Sequence, residues 1–181
     1  MTEWSEECLS AFPKWLDTLN EDAVALAALL ADDTIPEQAR RCVAGALNYL
    51  LKSLDIIPDG IEDLGYIDDA FILRLASSNA LESATAQDTN TSDVLVRLAK
   101  GTLLVEKLLG KDYPRLVKYA RSIETAVASG RTVDVIIGDP CVRMEMVRDV
   151  QGWANRYESP RFPHDEQMLI KLRSFLSARL P

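Results

Sequence analysis

The chain has 181 residues, 48% of them hydrophobic and 27% charged, with a net charge of −8. That length and apolar share suit one ordinary globular domain and exclude a disordered chain, while the negative charge argues against nonspecific nucleic-acid or anionic-membrane binding. The longest unbroken apolar run, Ala23 to Ala31, has nine residues, far short of the ~20 that a membrane-spanning helix needs.

Residues 4 to 19 place Trp4, Cys8, Phe12, Trp15, Leu16 and Leu19 three or four apart, which predicts a helix with Pro13 as a kink or boundary. Residues 21 to 31 begin with Glu21 and Asp22, where the helix dipole favours acids, and are rich in strong helix formers. A third helix is expected from about Pro36 through Ala39, Val43, Leu47, Leu50 and Leu51 to Leu54. Ile57 precedes Pro58, so that helix should stop before it. Asp59 and Glu62 read as a capping box for a helix from about Gly60 to about Ala80. The polar stretch 82–93 is the linker candidate of the chain.

Beyond it, Val94 to Leu109 carries helical spacing with Gly110 as a stop, and Tyr113 to Val127 marks another helix ended by Ser129-Gly130. Thr132 to Ile137 is β-branched, the one good strand candidate, and reads equally as an extended connector or as helical by context. Asp139-Pro140 forms an N-cap and first-turn pair for a helix through Met146, Val150 and Trp153 to Tyr157. A last helix carries Met168, Leu169, Leu172, Phe175 and Leu176. The fold class is therefore all-α: a single compact bundle of seven or eight helices over residues 1–181, around a helix–bend–helix hairpin at about 36–80.

Charge is unevenly spread. Residues 1–91 hold 17 acidic and 5 basic side chains, and residues 92–181 hold 11 acidic and 15 basic. Either the halves dock on each other, or opposite ends meet in an oligomer, or these are solvated helix faces of different composition. Arg97, Lys100, Lys107, Lys111, Arg115, Lys118 and Arg121 lie at spacings that would gather them on one side, facing an anion, a nucleic acid, the acidic half or solvent. Interleaved aromatics are lacking, which makes nucleic acid an improbable partner. Cys8, Cys42 and Cys141 are odd in number and far apart, and the acidic N-terminus lacks the basic and apolar regions of a signal peptide, so a reducing, cytoplasmic setting is expected. With His164 as its sole histidine, the chain has no multi-histidine zinc site. Cys141, His164 and Asp165 are the remaining nucleophile grouping, set against a half-buried cysteine and a loop histidine. No phosphate-binding or nucleophile-elbow motif occurs. Trp4, Trp15 and Trp153 read as core residues.

The most specific segment is RRCVAGALNYLLKSLDIIPDGIEDLGYIDDAFILRL, residues 40–75. Tyr49, Leu50, Asp55, Ile57, Pro58, Asp59, Leu64, Gly65, Tyr66, Asp68 and Asp69 match, in order, the pattern of the uncharacterised YkvA-type domain, which this segment resembles. The pattern departs at Glu62, where a proline is frequent, and at Lys52 and Ser53, where a Ser-Pro pair is common. The resemblance implies a helical hairpin and no established activity.

Three readings of the aspartates follow. Asp55, Asp59, Asp68 and Asp69 are caps and buried acceptors that fasten the hairpin; or they gather around Mg²⁺ or Ca²⁺; or one of them, with Tyr66 or Lys52, works as a general acid or base. Asp68 shares a helical face with Ile61, Leu64, Gly65, Phe71, Ile72 and Leu75, so its carboxylate needs a partner: the N–H groups of the bend, Arg40 or Arg41, Tyr49, or a metal ion. Gly65 points to the close approach of another backbone. The expected function is a non-enzymatic scaffold or interaction module that binds a protein partner or itself, with no cofactor. The alternative is a divalent-metal-binding module or metal-dependent enzyme using the hairpin aspartates.

Overall fold

The computed structural model describes residues 2–52, 55–61, 63–83, 92–125, 127–128 and 130–181. The chain is all-α. α1 (Glu3–Asp17) starts at Thr2, whose side chain accepts the Ser5 N–H, and continues through Pro13 without a break. α2 (Leu19–Leu30) follows after Thr18, and α3 (Glu37–Leu50) begins after Pro36 as its composition suggests. α4 (Ile67–Ser83) is the central helix. After it come α5 (Asp93–Ala99), α6 (Thr102–Leu109), α7 (Tyr113–Ser122), α8 (Val133–Gly138), α9 (Pro140–Ala154) and α10 (Glu166–Arg179). Short 3-10 turns at Gly110–Asp112 and Ile123–Thr125 flank α7, and Val127–Ala128 pairs with Arg131–Thr132 as a two-residue antiparallel bridge.

Every segment expected to be helical is helical for much of its length, with several changes of boundary and one of conformation: the Tyr113–Val127 segment is α-helix only to Ser122, with Val127 in the bridge, and α9 ends at Ala154 rather than Tyr157. The Val94–Leu109 segment divides at Lys100-Gly101. A Cβ on Gly101 would sit 2.6 Å from Cδ of Arg74, so the chain steps around that buried side chain. Thr132 to Ile137 is mostly helix: the Thr132 hydroxyl caps the Val135 N–H, and Val133 and Ile136 turn one face into the core. Three-residue spacing and a cap here outweigh β-branched propensity. The third helix ends at Leu50 rather than Leu54, a residue outside the described set.

The fourth helix begins at Ile67, not near Gly60. The described residues between Pro58 and Ile67 make turn hydrogen bonds, with Ile61 N–H on the Pro58 carbonyl at 3.0 Å, Gly65 N–H on Ile61 at 2.8 Å and Ile67 N–H on Leu64 at 3.3 Å. Tyr66 has φ +65°, a left-handed backbone that no α-helix can contain, and the regular helix starts after it. Most of the polar 82–93 stretch lies outside the described residues.

α4 is buried on nearly every side: Ile67 through Ser77 are all buried. A helix apolar all round belongs in a protein interior, and α3, α5, α1, α6 and α7 enclose this one. The apolar cluster is continuous from Leu9 and Phe12 of α1 through Phe71 of α4 to Leu172 and Leu176 of α10. Trp4, Trp15 and Trp153 are half-buried against it. The two halves of the chain meet through ion pairs: Arg97 to Asp22 at 2.8 Å, Lys107 to Glu7 at 2.7 Å, Arg143 to Asp33 at 3.2 Å and Arg121 to Glu82 at 3.3 Å. The uneven charge therefore serves docking within one chain, and three members of the basic set are spent on it. No helix among the described residues is long and apolar enough to cross a membrane.

Candidate functional site: the aspartate hairpin

The hairpin is built from the end of α3, the bend and the first turn of α4. Tyr49, in the last turn of α3, is almost wholly buried, and its hydroxyl donates to Oδ2 of Asp68 at 2.5 Å. The same hydroxyl accepts the Ile56 N–H at 2.8 Å, and Asp68 Oδ2 accepts the Ile57 N–H at 3.0 Å. One phenol and one carboxylate thus satisfy two amides of the bend ahead of Pro58, where no helical carbonyl is in reach. Of the partners expected for Asp68, the structure supplies Tyr49 and the bend. Arg40 and Arg41 instead pair with Asp33 and Asp134 on the outside of α3.

Gly65 and Tyr66 set the approach to α4. A Cβ on Gly65 would lie 2.4 Å from the Asp59 carbonyl oxygen, so only glycine lets the two strands of the bend touch. The close approach read from the sequence is present, although in a turn rather than within a helix. Tyr66 donates its hydroxyl to Asp59, and its ring stands 5.2 Å from that of Tyr157 and 6.0 Å from that of Trp153. Asp59 is therefore no helix cap. Glu62, its expected partner in the capping box, lies outside the described residues.

Asp68 and Asp69 occupy the first turn of α4, where the helix dipole favours anions, yet both are removed from water, at 0% and 2% exposure. Burial raises the pKa of each; the Asp59 charge adds to it at Asp68, and the charges of Asp68, Asp55 and Asp59 add to it at Asp69. For Asp68 the Tyr49 and Ile57 hydrogen bonds pull the other way. Burial, then the charges of Asp59 and Asp68, lift Asp55 to about 7, against a small opposing pull from Lys52. Oδ1 of Asp55, of Asp68 and of Asp69 is buried and has no hydrogen-bond partner. The bend expected to satisfy Asp55 does not reach that oxygen. The four acids thus influence one another's charge, and the cation that opposes them at Asp55 and Asp69 is Lys52, whose ammonium lies 4.1 Å from the centre of the Tyr49 ring and donates to the Tyr119 hydroxyl at 3.1 Å.

Such a set can hold protons at neutral pH or stabilise a cation. Among the described residues, no group of three or more Asp, Glu, His or Cys side chains is arranged to hold a metal ion. Elsewhere, His164 faces Glu6 at 3.1 Å, while Cys141 is exposed at the start of α9 with its N–H on Asp139. No hydrogen bond joins the cysteine to the histidine. All three cysteines are free.

The fold and this site define an all-helical protein organised on a hairpin closed by a buried aspartate–tyrosine pair. Residues 39–75 match the family model described as a protein of unknown function (DUF1232), the stretch that resembles the YkvA-type domain and about a fifth of the chain. No curated protein and no solved structure matches the chain.

Two features escaped the sequence reading. Asp22 and Arg74 form a buried ion pair, signalled only by a lone arginine inside the apolar run Phe71-Ile72-Leu73-Arg74-Leu75. A cleft beside the hairpin uses Trp153, which the spacing alone assigns to the core.

Proposed function

We propose that this protein is a non-enzymatic interaction module in which the hairpin aspartates are architecture and the surfaces around them do the binding. The observation that carries the reading is the commitment of Asp68: its one hydrogen-bonded oxygen serves Tyr49 and the Ile57 amide, both internal to the hairpin. A carboxylate used this way orders the bend and has no open face for a substrate. Asp59 is likewise engaged with Tyr66.

A second reading, a divalent-metal module, is favoured by the buried Oδ1 atoms of Asp55, Asp68 and Asp69, which lack partners and are the hard oxygen ligands that Mg²⁺ and Ca²⁺ prefer. Thermal unfolding in EDTA and with added Mg²⁺, Ca²⁺ or Mn²⁺ separates the two. An ion present at ~100 times its dissociation constant adds ~2.7 kcal/mol, which moves the midpoint of a domain this size by about 5–10 °C. The interaction-module reading expects no saturable shift with any ion, and Asp68→Asn merely less stable. A shift that saturates and disappears in Asp68→Asn establishes the metal module instead.

A further inference from the structure

A cleft of about 730 Å³ opens between the C-terminal end of α3, the bend at Asp59 and Tyr66, and one face of α9. Its size is that of a small-molecule site, and its chemistry is unlike the rest of this acidic protein. Lys52, Arg131, Arg148 and Arg156 line it, against Asp59, Glu145 and Asp149. Two of those carboxylates are engaged: Asp149 pairs with Arg131 at 2.8 Å, and Asp59 accepts the Tyr66 hydroxyl. Arg148 and Arg156 are exposed and make no ion pair among the described residues.

The two arginines belong together. Arg148 and Gly152 lie four apart on α9 and share a face, and Arg156 follows in the turn just past the helix end, with its N–H on the Trp153 carbonyl at 3.0 Å. Nη1 of Arg156 lies 3.7 Å from where a Cβ on Gly152 would be. The guanidinium thus folds back over the glycine, one turn nearer to Arg148. Beside this pair stand the half-buried rings of Trp153 and Tyr66, 6.0 Å apart and inclined at 66°. Tyr66 reaches its place through the left-handed backbone at φ +65°, a conformation costly for a bulky residue and characteristic of ligand-contacting positions.

We propose that this cleft binds a small oxyanion carried on a planar ring, with the anion between Arg148 and Arg156 and the ring against Trp153 and Tyr66. Guanidinium groups give a carboxylate or a phosphate monoester paired, charge-assisted hydrogen bonds. The aromatic wall supplies area that a bare ion cannot use. Of the hairpin aspartates only Asp59 lines the cleft, so this proposal and the architectural reading fail separately.

Isothermal titration of the full chain with phenyl phosphate, benzoate and inorganic phosphate, at matched ionic strength, tests it. Saturable binding of phenyl phosphate or benzoate is expected, tighter than that of inorganic phosphate, and the tighter of the two identifies the oxyanion. The Arg148→Gln/Arg156→Gln double variant should bind at least about tenfold more weakly with an unchanged unfolding midpoint. Glu145→Gln, which removes the lining carboxylate that makes no ion pair among the described residues, should bind more tightly. The proposal is overturned if neither ring anion binds saturably, if binding survives the double substitution, or if inorganic phosphate binds as tightly as its phenyl ester.

Discussion

α4 carries two buried charged clusters about one and a half turns apart, and they are built on opposite rules. At its middle, Arg74 is 3% exposed and Asp22 of α2 is 1% exposed. Their Nη2 and Oδ2 atoms are 3.6 Å apart, and Arg97 of α5 reaches the other Asp22 oxygen at 2.8 Å. Arg74 also donates to the Ala70 carbonyl at 2.8 Å and stacks on the Trp15 ring at 3.9 Å. Burial lowers its pKa to about 9, with the Asp22 charge resisting and the Arg97 charge assisting. At the start of the same helix, Asp68 and Asp69 are as deeply buried, yet their charged neighbours are mainly other carboxylates. The first cluster balances its charge with the opposite sign. The second balances it by hydrogen bonds at Asp68 and by raised proton affinity at Asp55 and Asp69. Burial alone does not make a site; the kind of compensation separates a girder from a group left able to respond to pH or to a cation.

The largest effect is expected where balance is broken. Asp22→Ala leaves Arg74 buried beside Arg97 and should cost about 3–5 kcal/mol in denaturant unfolding. Asp22→Leu combined with Arg74→Met should recover most of that loss, since replacing both charges by apolar volume is often neutral. A double variant as unstable as the single one would show that Arg74 acts through the Trp15 stack instead.

Removal of an acceptor at the hairpin comes next. Asp68→Ala strands the Tyr49 hydroxyl and the Ile57 amide and should cost about 2–4 kcal/mol. Tyr49→Phe should cost less. A double-mutant cycle of the two positions should give a coupling of about 1 kcal/mol or more; additive effects would break the pairing. Gly65→Ala pushes a methyl into the Asp59 carbonyl, 2.4 Å away, and should cost about 1–3 kcal/mol.

The smallest effect has the opposite sign and gives the comparison its sharpest test. Asp69→Asn removes a buried acid crowded by three other carboxyl groups and should raise the midpoint by about 3 °C near neutral pH, a gain of about 1 kcal/mol. Equal loss of stability in Asp69→Asn and Asp22→Ala would erase the distinction between the clusters. The pH dependence follows from the same cause. The folded-state pKa of Asp55 is raised from 3.8 to about 7, so between those values the folded protein binds more protons than the unfolded chain. Stability from this group is complete below 3.8 and declines as pH rises towards 7. Melting curves across that window should show the midpoint falling with pH in the native chain, and a flatter profile in Asp55→Asn.

Much of this was legible in one dimension. Helical spacing gave all the principal helices, and Pro36, Asp139-Pro140 and Gly110 marked their ends because caps and proline act on residues next to them in the chain. The ordered aspartates, Gly65 and Tyr49 announced a hairpin whose partners lie within 20 residues of each other, and burying a carboxylate on an apolar face called for a partner to Asp68, with Tyr49 one candidate beside the bend amides, Arg40 or Arg41 and a metal ion. What the tertiary structure alone decided are matters of distant pairing. Gly101 splits a helix because Arg74, from α4, occupies the space. Asp22 serves Arg74 rather than its own helix dipole. The capping-box reading of Asp59 gave way because Tyr66 takes a left-handed backbone to reach Trp153 and Tyr157 on α9 and beyond. Arg148 and Arg156 face a cleft only because α9 and the turn after it stand across from the end of α3. Local chemistry is written in neighbouring residues, whereas the balance of a buried charge depends on whatever the fold brings against it.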